Sequence, residues 1–202
     1  MQLLTVDDAR ELAELYLAAE WPRRWRHVQA VAARAGELQP VVGEGGELLV
    51  VAAWLHDIGY SSRLLDTGFH PVDGARRLQR IGAGFRLCCL VANHSGAAIE
   101  AGLRGLHAEQ EDFPDEDSLL RDALWTCDMT TSPEGEPVTF AERLTEIRER
   151  YGEHHSVAQA ITAAAPEIER AIGHVSRHAG AGCDCVQDPV STELRAGRSG
   201  SR

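Results

Sequence analysis

Lysine is absent: all 20 basic residues are arginine, set against 31 acidic ones for a formal net charge of -11. Long duplex nucleic acid needs a basic face and is therefore not an expected partner. A small phosphorylated ligand remains compatible, because a divalent cation and a few arginines can invert the field locally. Aromatic residues make up only 5% of the chain, while Ala, Leu and Arg dominate, a composition that favours helix over strand. No apolar run approaches the ~20 residues of a membrane span, and no charged-then-apolar leader opens the sequence. A cytoplasmic protein without membrane contact is the expectation. The five cysteines are odd in number and lack paired C-x-x-C spacing, which argues against a disulfide framework. Cys88, Cys89 and Cys127 lie in apolar stretches and read as buried reduced thiols. Cys183 and Cys185 form a lone C-x-C in a polar tail, a pattern more often incidental than metal-binding.

With 202 residues, 44% of them hydrophobic, the chain is long enough for one domain with a substantial core. Residues 1-180 are expected to form an all-α helical bundle, and residues 181-202, rich in Gly, Ser and Arg without periodicity, a disordered tail. Thr5 followed by Asp8 marks a helix start, and the first helix is expected to end near Ala19. Pro22 opens a second, buried along Trp25, Val28, Val31, Ala32 and Ala35, which Gly36 is expected to stop. Leu48 to Leu55 is uniformly apolar. Glu47 and Gly59 frame it as a helix with His56 and Asp57 in its last turn. Further helices are read from His70 to Ile81, from Phe85 to His94, around Ala97 to Leu106, and from a Ser118 cap to Asp128. The last two follow a Thr139/Glu142 capping box and run from His154 to Val175, with Pro166 as a break.

Six polar groups sit on or at the ends of these apolar helices: His27, His56, Asp57, His70, His94 and Asp128. A single imidazole on an apolar face is usually a core histidine with a backbone partner. The carboxylate inside Val-Ala-Ala-Trp-Leu-His-Asp-Ile-Gly is different, since burying an unpaired charge costs several kcal/mol. A bound cation removes that cost. Neutral imidazoles and carboxylates around a divalent ion, with positions left for water, suit hydrolysis, because the metal acidifies water and polarises a phosphoryl oxygen.

Trp25-Arg26-His27-Val28, the doublet in Leu55-His56-Asp57-Ile58-Gly59, and Asp128 ending an apolar helix resemble the HD-domain superfamily of metal-dependent phosphohydrolases over roughly residues 10-175. The resemblance implies that His27, His56, Asp57 and Asp128 hold one divalent metal (Mn, Fe, Mg, Co or Zn). His70 in His-Pro-Val-Asp-Gly-Ala and His94 in Val-Ala-Asn-His-Ser resemble the binuclear branch, where Asp57 bridges and these two histidines bind a second ion. His94 could instead contact a substrate phosphate, and His70 could simply start a helix. Tyr60 stands where several branches carry Lys or Glu. Without lysine, phosphate must be held by arginine: Arg24, Arg63, Arg143 and Arg148 are candidates, most of them with an ordinary solvated role. Arg24, one turn from His27, leads, and Tyr60 and Arg63 complete the expected substrate contacts.

The function implied is hydrolysis of a small phosphate ester or nucleotide, with Asp57, His94 and Arg24 as the catalytic group and oligomerisation left open. Two alternatives remain at this stage. One is a di-iron oxygenase of the same superfamily, which would need both His70 and His94 as ligands. The other is a metal-retaining ligand sensor without turnover.

Overall fold

A computed structural model describes residues 3-183, which contain ten α-helices and no strand. Helix α1 (Val6–Leu17) starts at Thr5, whose hydroxyl accepts the Asp8 N–H while the Asp8 carboxylate accepts the Thr5 N–H, satisfying two donors that a helix start leaves open. Helix α2 (Pro22–Val42) runs past Gly36, the expected stop, and through Pro40. The proline leaves the Gly36 carbonyl without its helical donor, but both residues face water, which can replace it. Gly43, at φ 71°, ends the helix instead.

Helix α3 (Gly46–Leu55) explains its unbroken apolar run, because α1, α2, α5 and α8 surround it and Leu49 through Ala53 are all buried. It ends earlier than expected: His56 is its C-cap, and Ile58–Tyr60 form a 3-10 turn. Gly59 is thus no helix cap. A Cβ there would lie 1.9 Å from the His70 carbonyl oxygen and 2.7 Å from the Gly74 nitrogen, so glycine permits the start of α4 (His70–Arg80) to rest on the turn after Asp57. This backbone contact brings His70 to the His-Asp doublet. The loop before α4 is pinned by Asp73, which accepts N–H bonds from Thr67 at 2.8 Å and Gly68 at 3.0 Å.

Helix α5 (Phe85–Ala92) gives way to a 3-10 turn, His94–Gly96, then α6 (Ala97–Arg104) and a short α7 (His107–Glu111) that the sequence reading missed. Helix α8 (Leu119–Met129) is capped by Ser118 and α9 (Phe140–Tyr151) by the Thr139/Glu142 box, as expected. Helix α10 (Ser156–Cys183) is continuous through Pro166, which faces solvent along with Thr162, the residue whose carbonyl it leaves without a donor. It also extends beyond Gly180. The remainder of the expected tail, with Cys185, lies outside the described residues.

The larger apolar cluster joins α1 to α5, and a second, around Trp125, Met129, Phe140, Ile147, Ala164 and Ile168, joins α8, α9 and α10. Along α10, Ile168 and Val175 are buried, whereas Val157, Ile161 and Ile172 are only partly so. Ala158, Ala160, Ala164 and Ala171 share the buried face of α10 with them. Cys88, Cys89 and Cys127 are buried free thiols, and burial pushes Cys127 up to about 12 and Cys88 up to about 11.

Candidate metal centre

Five helix ends or turns deliver the six polar groups to one place. His27 projects from the first turns of α2, His56 and Asp57 follow α3, His70 begins α4, His94 follows α5, and Asp128 lies in the last turn of α8. All but the half-buried His70 are buried, with His27 and His56 at 0% exposure and Asp57 at 2%.

Proton bookkeeping shows what this cluster lacks. A backbone carbonyl can only accept, so each imidazole nitrogen facing one must carry a hydrogen. His27 Nδ1 donates to the Ser132 carbonyl at 3.0 Å, His56 Nδ1 to Ala53 at 2.7 Å and His94 Nδ1 to Val91 at 2.7 Å. In the neutral rings each Nε2 is therefore a lone pair, facing a carboxylate oxygen at His27 and His56 and the His70 ring at His94. His27 Nε2 lies 3.0 Å from Asp128 Oδ1. His56 Nε2 lies 3.2 Å from Asp57 Oδ2 without the alignment of a hydrogen bond, and has no hydrogen-bond partner among the described residues. His94 Nε2 is 3.2 Å from His70 Nε2, and the two are 3.7 and 3.3 Å from Asp57 Oδ1. Lone pairs converging on lone pairs in a buried space require a proton or a cation between them.

The donor atoms fall into two sets, each lying within 4.8 Å of one another: His27, His56 and Asp57, then Asp57, His70 and His94. Asp57 belongs to both. Asp128 adjoins the first set, 3.0 Å from His27 and 3.9 Å from His56 through Oδ1. Its other oxygen accepts the Ser95 hydroxyl. Ser95 adopts φ 50°, the single non-glycine residue at positive φ among those described, at a cost of about 1 kcal/mol. The donor chemistry therefore fits divalent ions, with outer hydrogen bonds that fix ring orientation.

Electrostatics without a cation are consistent with that fit. Burial pushes His94 down to about 4, with His70 and His56 adding to the effect, so it is neutral. Burial, opposed by Asp128, also lowers His27. At His56 burial opposes charge, but Asp57 and then Asp128 outweigh it and lift the ring to about 9. Burial likewise opposes ionisation of Asp57, yet Arg24 and His56 hold it well below the usual carboxylate range.

Arg24 NH1 donates to Asp57 Oδ2 at 2.8 Å, and its guanidinium carbon sits 4.2 Å from the Tyr60 ring centroid. Tyr60 stacks on His70, with centroids 4.0 Å apart, so one ring steadies both neighbours. Arg63 is not at the site. It bonds the Leu15 carbonyl and lies over Tyr16, because the 3-10 turn at Ser62–Leu64 directs it toward α1. Arg148 lies outside as well, bonded to Thr162. The cluster opens into a cavity of about 70 Å³, one wall of which comes from α9 and α10, including Arg143, Ile147, Arg150, Tyr151 and Ile161. Ser95, Arg150 and Tyr151 were not singled out from sequence. A serine at positive φ has no sequence signal, and surface-patterned arginines on α9 look like any solvated face.

A family model, HD domain, matches residues 24–178. The chain belongs to the HD domain family. No curated protein and no solved structure matches it. The HD superfamily is one of metal-dependent phosphohydrolases, and the His/Asp groups described above could hold a divalent metal.

Proposed function

We propose that this HD protein hydrolyses a small phosphate ester, with His27, His56, Asp57 and Asp128 holding one divalent ion and Asp57, His70 and His94 a second. The observation that carries this reading is the position of Asp57, whose Oδ1 faces His70 and His94 while its Oδ2 faces His56. Bound ions would acidify water and draw charge from a phosphoryl oxygen. Four imidazoles in the donor set favour Mn, Fe, Co or Zn over Mg.

The chain's own groups supply the rest. Arg24 provides a permanent cation beside Asp57, held in place by Tyr60, whose hydroxyl burial keeps protonated. His94, neutral and tied through Nδ1 to Val91, is placed to bind a cation rather than to donate to phosphate. Met129, Ile147 and Ile161 give the cavity an apolar side that limits bulk water. In the overall reaction the oxygen of water bonds to phosphorus and the P–O bond to the leaving group breaks. Its electron pair stays on the leaving oxygen, which takes a proton. Phosphate release from a panel of phosphomonoesters, phosphodiesters and nucleotides by Mn-loaded protein tests the proposal. Release from at least one class, lost on removing the metal, is the expected result. No release from any of them would remove the reading.

One observation favours a second reading. An oxygenase needs both His70 and His94 at the second ion, and both face Asp57. Iron content together with oxygen uptake separates the two readings, since hydrolysis consumes no oxygen.

A further inference from the structure

The cavity beside the metal centre is closed at its inner end by an arginine that the fold does not satisfy. Arg143, on α9, is 5% exposed, and among the described residues its side chain makes one hydrogen bond, from NH1 to Glu146. Its Nε is buried without a partner. Arg150, two turns further along the same face of α9, also bonds Glu146 and likewise leaves its Nε buried and unpaired among the described residues. One carboxylate thus serves two guanidiniums, and a positive excess remains on this wall. Arg143 and Arg150 both line the cavity, and their guanidinium donors outnumber the two oxygens of Glu146, so an anion in the cavity has donors to meet.

Position within the cavity indicates which anion. Tyr60, Tyr151 and Arg150 also line adjoining grooves of about 200 and 300 Å³, which marks the mouth, whereas Arg143 and Asp128 line the inner cavity alone. A water needs about 10–15 Å³ of such space, so the inner cavity takes on the order of five water-sized atoms. The phosphate is thus assigned to this smaller inner cavity and the bulk of the leaving group to the larger adjoining grooves. Neither arginine lies within 4.0 Å of Asp57 or Asp128, so both remain free to face the phosphate from across the cavity.

We propose that Arg143, assisted by Arg150 at the mouth, binds the oxygens of a terminal phosphate, so that the substrate is a phosphomonoester whose leaving group lies in the grooves beyond Tyr60 and Tyr151. Guanidinium donors match phosphate oxygens in geometry, and a monoester dianion gains more from them than a diester monoanion. This rests on the phosphohydrolase reading of the metal centre.

The test is calorimetric titration of inorganic phosphate into Mn-loaded wild type, Arg143→Gln, Arg143→Lys and Arg150→Gln, with metal content and circular dichroism recorded for each. Arg143→Gln is expected to weaken phosphate at least 10-fold with metal content unchanged, Arg143→Lys to recover part of the loss, and Arg150→Gln to weaken it less. Wild-type phosphate affinity in a folded, metal-loaded Arg143→Gln overturns the assignment. If that variant does not fold, Arg143→Lys and Arg150→Gln decide, and wild-type affinity in both overturns it. Turnover of p-nitrophenyl phosphate is expected to exceed that of bis(p-nitrophenyl) phosphate at least 100-fold in kcat/KM, and equal turnover overturns the monoester class. Should loaded wild type cleave neither these esters nor any of the wider panel, the phosphohydrolase reading fails, while phosphate titration still decides whether Arg143 binds the anion.

Discussion

Helix α8 carries two buried carboxylates, Asp122 and Asp128, that meet opposite environments. Asp122, at 0% exposure, receives Arg170 through two nitrogens at 3.0 and 3.1 Å, Arg121 at 3.1 Å and His174 at 2.7 Å. Protein cations surround it, and Arg121 and Arg170 are held in turn by Asp115 and Glu167. Asp128 has a serine hydroxyl on one oxygen and, on the other, an imidazole whose remaining proton is already given to Ser132. Closure distinguishes them. The Asp122 network neutralises itself and ties α8 to α10, whereas the Asp128 side leaves lone pairs that only an added cation or proton can satisfy. A buried carboxylate alone indicates little about function; the state of its partners' remaining donors is what separates a structural ion pair from a ligand.

Removing each kind of carboxylate should separate the two regions most sharply. Asp57→Ala, which takes a donor from both ligand sets, is expected to reduce bound metal to background by elemental analysis. Asp122→Ala should retain the wild-type metal content yet lose about 2–4 kcal/mol in urea unfolding, since it leaves Arg121 and Arg170 without their shared partner. Equal metal loss in both variants would erase the distinction. Ser95→Ala tests the support of Asp128 and is expected to weaken metal about 10-fold, with little loss of stability measured without metal.

Acid provides a finer test. Burial opposes ionisation of Asp122, but His174 and Arg170 outweigh it and lower its pKa, and Arg170 and Arg121 draw Glu167 down to about 2. Groups whose folded pKa is depressed stabilise the protein above their unfolded values, near 4, and lose that contribution as pH falls toward 2. The melting temperature of wild type is therefore expected to drop more steeply than that of Asp122→Asn between about pH 4 and pH 2. Parallel curves would mean that the network contributes nothing to acid sensitivity. The smallest effect should come from Arg63→Ala. Its exposed bond to Leu15 lies away from the cavity, so metal and phosphate affinities should remain within twofold.

Much of the helical frame was legible because its signals are local. Capping boxes at Thr5 and Thr139, the Ser118 cap and the apolar stripes of α1 and α4 depend on neighbours a few residues away. Stops were harder. Gly36 and Pro166 break isolated helices, but in this fold the carbonyls that Pro40 and Pro166 leave free, on Gly36 and Thr162, face water, while packing on either side carries the helix onward. At the site, the six His and Asp residues stood out as polar groups among apolar ones, and the structure places all of them together. Residues whose role depends on distant contacts were not readable: Gly59 looked like a cap when its purpose is the approach of α4, and Arg150 reaches the cavity only because α9 folds over it.

The central claim is that lone pairs around Asp57 await cations, and metal stoichiometry tests it most directly. Purified protein incubated with Mn, Fe or Zn and freed of excess ion is expected to retain close to two ions per chain, against none in Asp57→Ala. Wild type that emerges metal-free under all three conditions would contradict the account.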